Sequence, residues 1–143
     1  MRGLVLSVIL VFLVSGLIGC SIVETSPTQV TKIFAWTATG DDNLEGTAAE
    51  YEFRYSTDSA TLVNDWDNCM PANCTQIIGP PLPAPAGSAE TFVATMTLET
   101  EVVYYFGMRT ADEVSNWSLT SNIISLRVPD STPPLAVSDL KFL

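Results

Sequence analysis

The chain contains no histidine and few basic residues. Histidine is the commonest general base and a member of the usual nucleophile triads, so its absence removes those enzyme classes. Only 6 lysine and arginine side chains oppose 16 aspartates and glutamates, whereas a nucleic-acid-binding protein needs basic side chains to displace phosphate counterions. The composition therefore argues against histidine-dependent catalysis and against nucleic acid as a partner.

The N-terminus has the pattern of an export signal. Arg2 precedes an apolar run over residues 4–14 that only Ser7 interrupts, and the run is shorter than the roughly 20 residues of a membrane span. The following sequence "LIGC", which ends at Cys20, resembles the bacterial lipobox. The resemblance implies that residues 1–19 are a lipoprotein signal peptide and that Cys20 is acylated after cleavage. A plain signal peptide and an uncleaved anchor are the alternatives.

Export and lipidation together predict a protein of the bacterial cell envelope that faces the periplasm or the cell exterior. Each buried methylene of an acyl chain contributes about 0.8 kcal/mol to membrane binding. The 124 residues after cleavage keep five basic side chains against 16 acidic ones, a net charge of −11, so lipid on Cys20 rather than charge must hold the membrane. Residues 20–29 would form a lipidated tether, and the remaining length suits one domain with one core.

The other two cysteines, Cys69 and Cys74, lie five residues apart. In an oxidising compartment a disulfide is the default, and closing such a small loop contributes roughly 2 kcal/mol. Two thiolates in a chain without histidine cannot complete a tetrahedral zinc shell. The sequence predicts a structural disulfide, no zinc site and no cofactor.

From residue 30 onwards, short apolar–polar alternations are separated by turn residues. Tyr51, Phe53 and Tyr55, for example, alternate with Glu52 and Arg54, which is the pattern of a half-buried strand. No stretch has convincing helical periodicity, so residues 57–73 are predicted to be irregular. Several short strands in about 100 residues favour a β-sandwich. The predicted strands lie within residues 30–38, 49–56, 74–79, 90–98, 102–110 and 122–128.

Trp36, the strand "YEFRYS" and the segment "LETEVVYYFGMRTADEVSNWSLTSNIISL" give residues 30–128 a resemblance to a fibronectin type III domain. The resemblance implies an all-β, immunoglobulin-like antiparallel β-sandwich. It also implies that Tyr104 forms the tyrosine corner, six residues after Leu98, although Thr100 stands where the family usually has proline. The core residues that the resemblance implies are Trp36, Tyr51, Phe53, Leu98, Tyr104 and Phe106.

The opening strand of this family often reads Pro-x-x-Val-x-Asp-Leu. Residues 21–29 lack that pattern, but residues 134–140 have it as "PLAVSDL", just after a "DSTPP" linker signal. We therefore expect residues 129–143 to be a linker and the first strand of a truncated second domain. The alternatives are a disordered tail, or docking of "LAVSDLKF" onto an edge of its own or a neighbouring sandwich, as in strand swapping.

Five acidic residues are candidates for a cation site or for catalysis, because the resemblance places their two loops at one pole of the domain. They are Asp41, Asp42, Glu45, Asp112 and Glu113. A calcium ion needs several oxygens in one place, whereas Asp at turn positions often only caps its own backbone. Glycoside hydrolysis by paired carboxylates would also require a cleft, which a lone sandwich of this size rarely offers, so we expect no enzyme.

Trp66 and Trp117 are either exposed platforms for a sugar or a protein, or large aromatics that cover the ends of the core. The function we expect is a non-catalytic interaction or spacer module on a membrane-anchored lipoprotein, with an unknown protein or carbohydrate partner. The alternative is the N-terminal fragment of a longer surface enzyme, such as a glycoside hydrolase or protease, or of an adhesin, in which this domain is an accessory module.

Overall fold

The computed structural model describes residues 25–133, 135–136 and 138–142. This part of the chain is an all-β sandwich of two antiparallel sheets, ordered β1–β4 and β3–β2–β5–β6, as the alternation predicted. Within the described residues, no helix is long and apolar enough to cross a membrane. The strands are β1 Pro27–Thr37, β2 Glu50–Ser56, β3 Thr75–Ile77, β4 Ala89–Glu99, β5 Val103–Ala111 and β6 Ile124–Arg127; α1 Ser59–Asn64 and a 3₁₀ turn, Trp66–Asn68, lie between β2 and β3.

Alternate residues of each long strand face the space between the sheets. In β4 the buried residues are Phe92, Ala94, Met96 and Leu98, and their neighbours face outward. The whole of β1 pairs with β4 in one register, with Phe34 opposite Phe92. A slip of one residue would turn this apolar set towards solvent, so the alternation fixes the register.

Aromatic rings form the centre of the core. The ring centroid of Phe34 lies 5.5 Å from that of Phe53 and 5.7 Å from that of Phe106. Such tilted pairs stabilise by about 0.5–1.5 kcal/mol beyond their burial. Of the residues that the sequence placed in the core, Tyr51, Phe53, Leu98, Tyr104 and Phe106 are buried, and Trp36 is partly buried against them.

The turn between β4 and β5 fastens several parts of the chain. The backbone N–H of Glu99 donates a hydrogen bond of 3.0 Å to the hydroxyl of Tyr104. Thr100, where proline was expected, donates its backbone N–H to the Ser26 carbonyl at 2.9 Å and accepts from the Ser26 N–H through its hydroxyl at 3.0 Å. Proline could make neither contact, since it has no N–H and no hydroxyl. Thr100 therefore fixes the point at which the chain enters β1.

The predicted tether over residues 20–29 is wrong at its C-terminal end. Strand β1 begins at Pro27, which lies opposite Glu99 of β4, so the last three residues of the expected tether belong to the sandwich. The pairing with β4 decides this boundary, because the residues themselves are polar and show no apolar alternation. Residues 20–24 lie outside the described residues.

The prediction that residues 57–73 are irregular is also wrong in part. Asp58 caps α1, because its carboxylate accepts from the Ala60 N–H at 2.9 Å and from the Thr61 hydroxyl at 3.1 Å. A helix of six residues is too short to show a period of 3.6 residues. An Asp before a helical turn is the usual N-terminal signal, and it was the available clue.

The described residues after Asp130 belong to no strand or helix. Leu135, Leu140 and Phe142 are almost fully exposed. Docking of this segment onto its own sandwich is not seen among the described residues. The interpretation as the first strand of a second domain stays a prediction.

Candidate functional site

The predicted signal peptide over residues 1–19 and the lipidation site at Cys20 lie outside the described residues. The predicted disulfide is confirmed: Cys69 and Cys74 are bonded, with their Cα atoms 5.4 Å apart. Both cysteines are buried in a small second cluster with Leu62 and Trp66. The bridge therefore closes the excursion between β2 and β3, which we call the outer layer and define as residues 57–74.

The outer layer is anchored by Trp66, which is only 2% exposed. Its indole N–H donates to the Glu52 carboxylate at 3.0 Å. The guanidinium carbons of Arg54 and Arg109 lie 4.8 and 5.2 Å from the indole ring centroid, within the range of cation–π attraction. Trp66 is therefore a packing anchor, and the hypothesis that it is an exposed platform is wrong.

Glu52 has no oxygen available for chemistry. One carboxylate oxygen accepts from Arg54 Nε at 2.8 Å and from Nη2 at 2.5 Å, and the other accepts from Trp66. Arg54 also donates to the Trp66 carbonyl. A carboxylate whose two oxygens are occupied by fixed donors is a poor general base, so this network is structural.

A glycine allows the segment before β6 to approach the sheet closely. A Cβ atom on Gly107 would lie 3.0 Å from Ile123 Cδ1, 3.1 Å from Thr120 Cγ2 and 3.5 Å from Trp66 Cζ3. The first two distances are shorter than ordinary carbon–carbon contacts. The segment that contains Thr120 and Ile123 thus depends on the missing side chain at residue 107, whereas Trp66 of the outer layer would be in ordinary contact with the added atom.

The two acidic loops do meet at one pole of the sandwich. The facing side chain of Glu113 raises the pKa of Asp41, and partial burial together with the charges of Asp42 and Asp112 acts in the same direction. The backbone N–H of Asn116 lowers the pKa of Asp112, to which it donates a hydrogen bond of 2.7 Å. The carboxylate of Asp112 is therefore used for hydrogen bonds within its own loop.

Asp42 and Glu45 pair their backbones in a tight turn, with Asn43 in the left-handed region at φ 61°. In the part of the chain that the structure describes, no group of three or more acidic, cysteine or histidine side chains could hold a metal ion. Of the five predicted acids, Asp112 caps its own loop, and Asp42 and Glu45 form a turn through their backbones. Trp117, at the same pole, keeps 40% of its surface exposed and pairs with Ala111.

A groove runs along the edge of β1 that β4 does not cover, and we call it the edge groove. It has a volume of about 750 Å³. Between residues 25 and 142, as far as they are described, no strand pairs with this side of β1. The opposite wall is the segment over residues 118–124, which precedes β6. The lining includes Ile33, Phe34, Trp36, Phe106, Leu119 and Ile124.

Three buried polar atoms lie around Trp36, one of the residues that line the groove. Trp36 Nε1, the Tyr51 hydroxyl and one Glu90 carboxylate oxygen have no hydrogen-bond partner among the described residues. The pKa of Tyr51 is raised to about 12, mainly because the hydroxyl is buried and further because Glu90 lies nearby. Buried polar groups are normally satisfied. Here the three groups are neighbours, since Glu90 and Trp36 both act on the Tyr51 hydroxyl, and of the three residues Trp36 lines the groove. Sequence reasoning missed the groove, because it arises from a strand position that no described residue fills.

Comparison with known proteins gives partial matches. The chain is similar to calcium-activated chloride channel regulator 1 of Macaca mulatta and of Homo sapiens, each 35% identical over 104 residues. It is 29% identical over 122 residues to calcium-activated chloride channel regulator 2 of Mus musculus. These matches cover 69% and 75% of this chain but only 11% and 12% of the relatives. No family model and no solved structure matches. The chain thus resembles a small part of much longer proteins.

Proposed function

We propose that the chain is a non-catalytic lipoprotein of the bacterial cell envelope, held to a membrane by lipid on Cys20 and displaying a fibronectin type III interaction module. The hydrogen bond from the Glu99 N–H to the Tyr104 hydroxyl supports the fibronectin type III assignment, since it has the geometry of a tyrosine corner. The sheet order β3–β2–β5–β6 opposite β1–β4 agrees with an immunoglobulin-like sandwich in which the opening strand is unfilled.

The edge groove carries the interaction role. An uncovered strand edge presents backbone donors and acceptors that another extended segment can pair with. Ile33, on this edge, is 70% exposed, and Leu119 on the opposite wall is 88% exposed. Free backbone groups along β1, beside the exposed apolar side chains of Ile33 and Leu119, suit a polypeptide strand, which can pair with them along its whole length. The groove therefore favours a protein partner.

Lipidation is tested by labelling with a radioactive fatty acid in a bacterial host. The double variant Cys69→Ser/Cys74→Ser keeps Cys20 as the remaining cysteine and should be labelled and fractionate with membranes. The variant Cys20→Ser should lose both the label and the membrane association. Persistent labelling of Cys20→Ser would refute the anchor without bearing on the groove.

The interaction role is tested by placing a photo-crosslinking amino acid at Ile33 of the full chain in living cells. Irradiation should give a crosslinked product of higher mass. The matched control is Ile78, which is 77% exposed, follows β3 at the edge of the larger sheet opposite β6 and does not line the groove. An absence of product at Ile33, or equal products at both positions, would contradict an interaction site in the groove.

A second function is favoured by the comparisons. The matched segment occupies only 11–12% of the longer relatives, as expected of an accessory module that positions other domains. The domain would then belong to a surface enzyme, such as a glycoside hydrolase or protease, or to an adhesin. Reading the coding sequence beyond Leu143 distinguishes the two proposals, because a stop codon there favours the lipoprotein and a continuing frame favours the accessory module.

A further inference from the structure

We infer that the edge groove receives residues 135–142 of a second copy of this chain, which pair with the free edge of β1 and close the sandwich. This inference rests on the proposed interaction role of the groove and names its occupant. It does not depend on the lipid at Cys20.

The groove has the dimensions of a short strand. Its β1 wall includes Ile33 to Thr37 and continues to Thr39, about 20 Å at roughly 3.3 Å per residue. Residues 135–142 would span about 23 Å in the same conformation. The segment can therefore cover the whole wall.

As a strand, the segment would turn apolar side chains towards the groove. In a strand, Ala136, Ser138, Leu140 and Phe142 would share one face, because side chains alternate with a period of two. Leu135 and Val137 would lie on the other face with Asp139 and Lys141, so only the second half of the segment turns charged side chains towards solvent. Leu140 and Phe142 are almost fully exposed in the single chain, so burying them in the groove would remove their apolar surface from water, which is favourable.

Chain direction favours a second copy over the same copy. The Thr100 N–H binds the Ser26 carbonyl and the Glu101 N–H binds the Val128 carbonyl at 2.7 Å, so β6 ends beside the start of β1. A tail that folded back along its own β1 would run parallel to it. Every pair in the described sheets is antiparallel, and parallel pairing is slightly less stable per residue.

A second copy can supply the antiparallel strand. If the two copies are related by a two-fold axis perpendicular to their strands, the Val128 end of one copy lies beside the far end of β1 in the other. The linker over residues 129–134 then leads directly into the groove, and the exchange is reciprocal, as in other strand-swapped dimers. Each copy fills the groove of its partner.

The segment before Thr25 is a less suitable occupant. To reach Ile33–Thr37 antiparallel to β1, the chain would have to turn back before Pro27 and extend for six to ten residues, at one residue per register position. Such a segment would extend into residues 1–19, which the lipobox resemblance assigns to the removed signal peptide. The tail reaches the same wall without this requirement.

The test uses the full chain with the photo-crosslinker at Ile33, as above, followed by mass-spectrometric mapping of the crosslinked peptides. Two differently tagged copies should be captured together, joined between Ile33 and residues 135–142. The variant Leu140→Asp/Phe142→Asp should reduce the dimer yield roughly tenfold or more, because carboxylates cannot be buried there without partners. The matched control Leu82→Asp changes an exposed leucine of the proline-rich loop and should leave the yield unchanged.

The outcomes separate this inference from the proposed function. A product within one chain would overturn the exchange between copies, as would a dimer that the double variant leaves intact. A product with a different protein, or with another part of a second copy, would overturn this inference while leaving the groove an interaction site. No product at all would overturn both.

Discussion

Replacing Trp66 tests whether the outer layer is an integral part of the fold. The variant Trp66→Ala removes a ring that is only 2% exposed, and such substitutions cost about 3–5 kcal/mol. It also leaves a Glu52 oxygen without its donor in a partly buried ion pair, which adds roughly 1–3 kcal/mol. We therefore expect a loss of about 4 kcal/mol or more, a large part of the roughly 5–15 kcal/mol that stabilises a typical domain.

The variant Trp66→Phe separates packing from hydrogen bonding. Phenylalanine keeps most of the ring contact but cannot donate to Glu52, so the expected loss is about 1.5–3 kcal/mol, the usual range for a bond to a charged group. A double-mutant cycle with Glu52→Gln should then give a coupling energy above about 0.5 kcal/mol, since the two side chains are in direct contact.

The measurement is equilibrium unfolding in urea, followed by far-ultraviolet circular dichroism and analysed for both midpoint and slope. The matched control is Trp117→Ala, which removes a half-exposed ring and should cost on the order of 1 kcal/mol or less. If Trp66→Ala lost no more than Trp117→Ala, the outer layer would be a dispensable loop, and the reasoning from its burial would be refuted.

Three further substitutions probe other contacts by the same unfolding measurement. Tyr104→Phe should lose roughly 1 kcal/mol through the missing corner hydrogen bond, and an unaltered midpoint would contradict the corner assignment. Gly107→Ala should destabilise by about 1–3 kcal/mol because its new Cβ would press on Ile123; unchanged stability would mean that the Ile123 side chain can move away. Asp41→Asn should raise stability at pH 7, because Glu113 raises the pKa of Asp41 and so disfavours its charged form. That gain should disappear as the pH falls through the raised pKa to the ordinary value of 3.8, since the aspartate is then protonated in both folded and unfolded chains; a gain independent of pH would contradict this explanation.

The sandwich could be predicted from the sequence because burial follows a period of two. Tyr51 and Phe53 alternate with charged residues within β2, and the alternation of β4 fixes its inward face in the same way. The disulfide was predictable for a different reason, since two cysteines five residues apart in a chain expected to be exported favour one pairing.

The outer layer and the groove could not be predicted in this way. Trp66 is buried by Glu52 and Arg54, which look like ordinary outward residues of a strand until the excursion folds over them. The sequence indicated only that residues 21–29 lack the opening-strand pattern. The groove itself depends on which strands pair and on how the segment before β6 lies opposite β1, which no local pattern reports. Similarly, Pro27 belongs to β1 because it pairs with Glu99 and because Thr100 binds the preceding residue, Ser26. Both partners come from another part of the chain.

The position of Thr100 has a mechanical consequence. Because it binds Ser26 while its neighbour Glu101 binds Val128, the chain enters and leaves the described sandwich at one corner. A force that pulled these two points apart would act in an unzipping geometry. The hydrogen bonds of that corner would break one after another, whereas in a shearing geometry those of whole strands would bear the load together. Resistance to such a force depends on the rate of unfolding, and a sandwich loaded in this way should open at low force. The domain is therefore poorly suited to a position in which it must bear tension between its two ends.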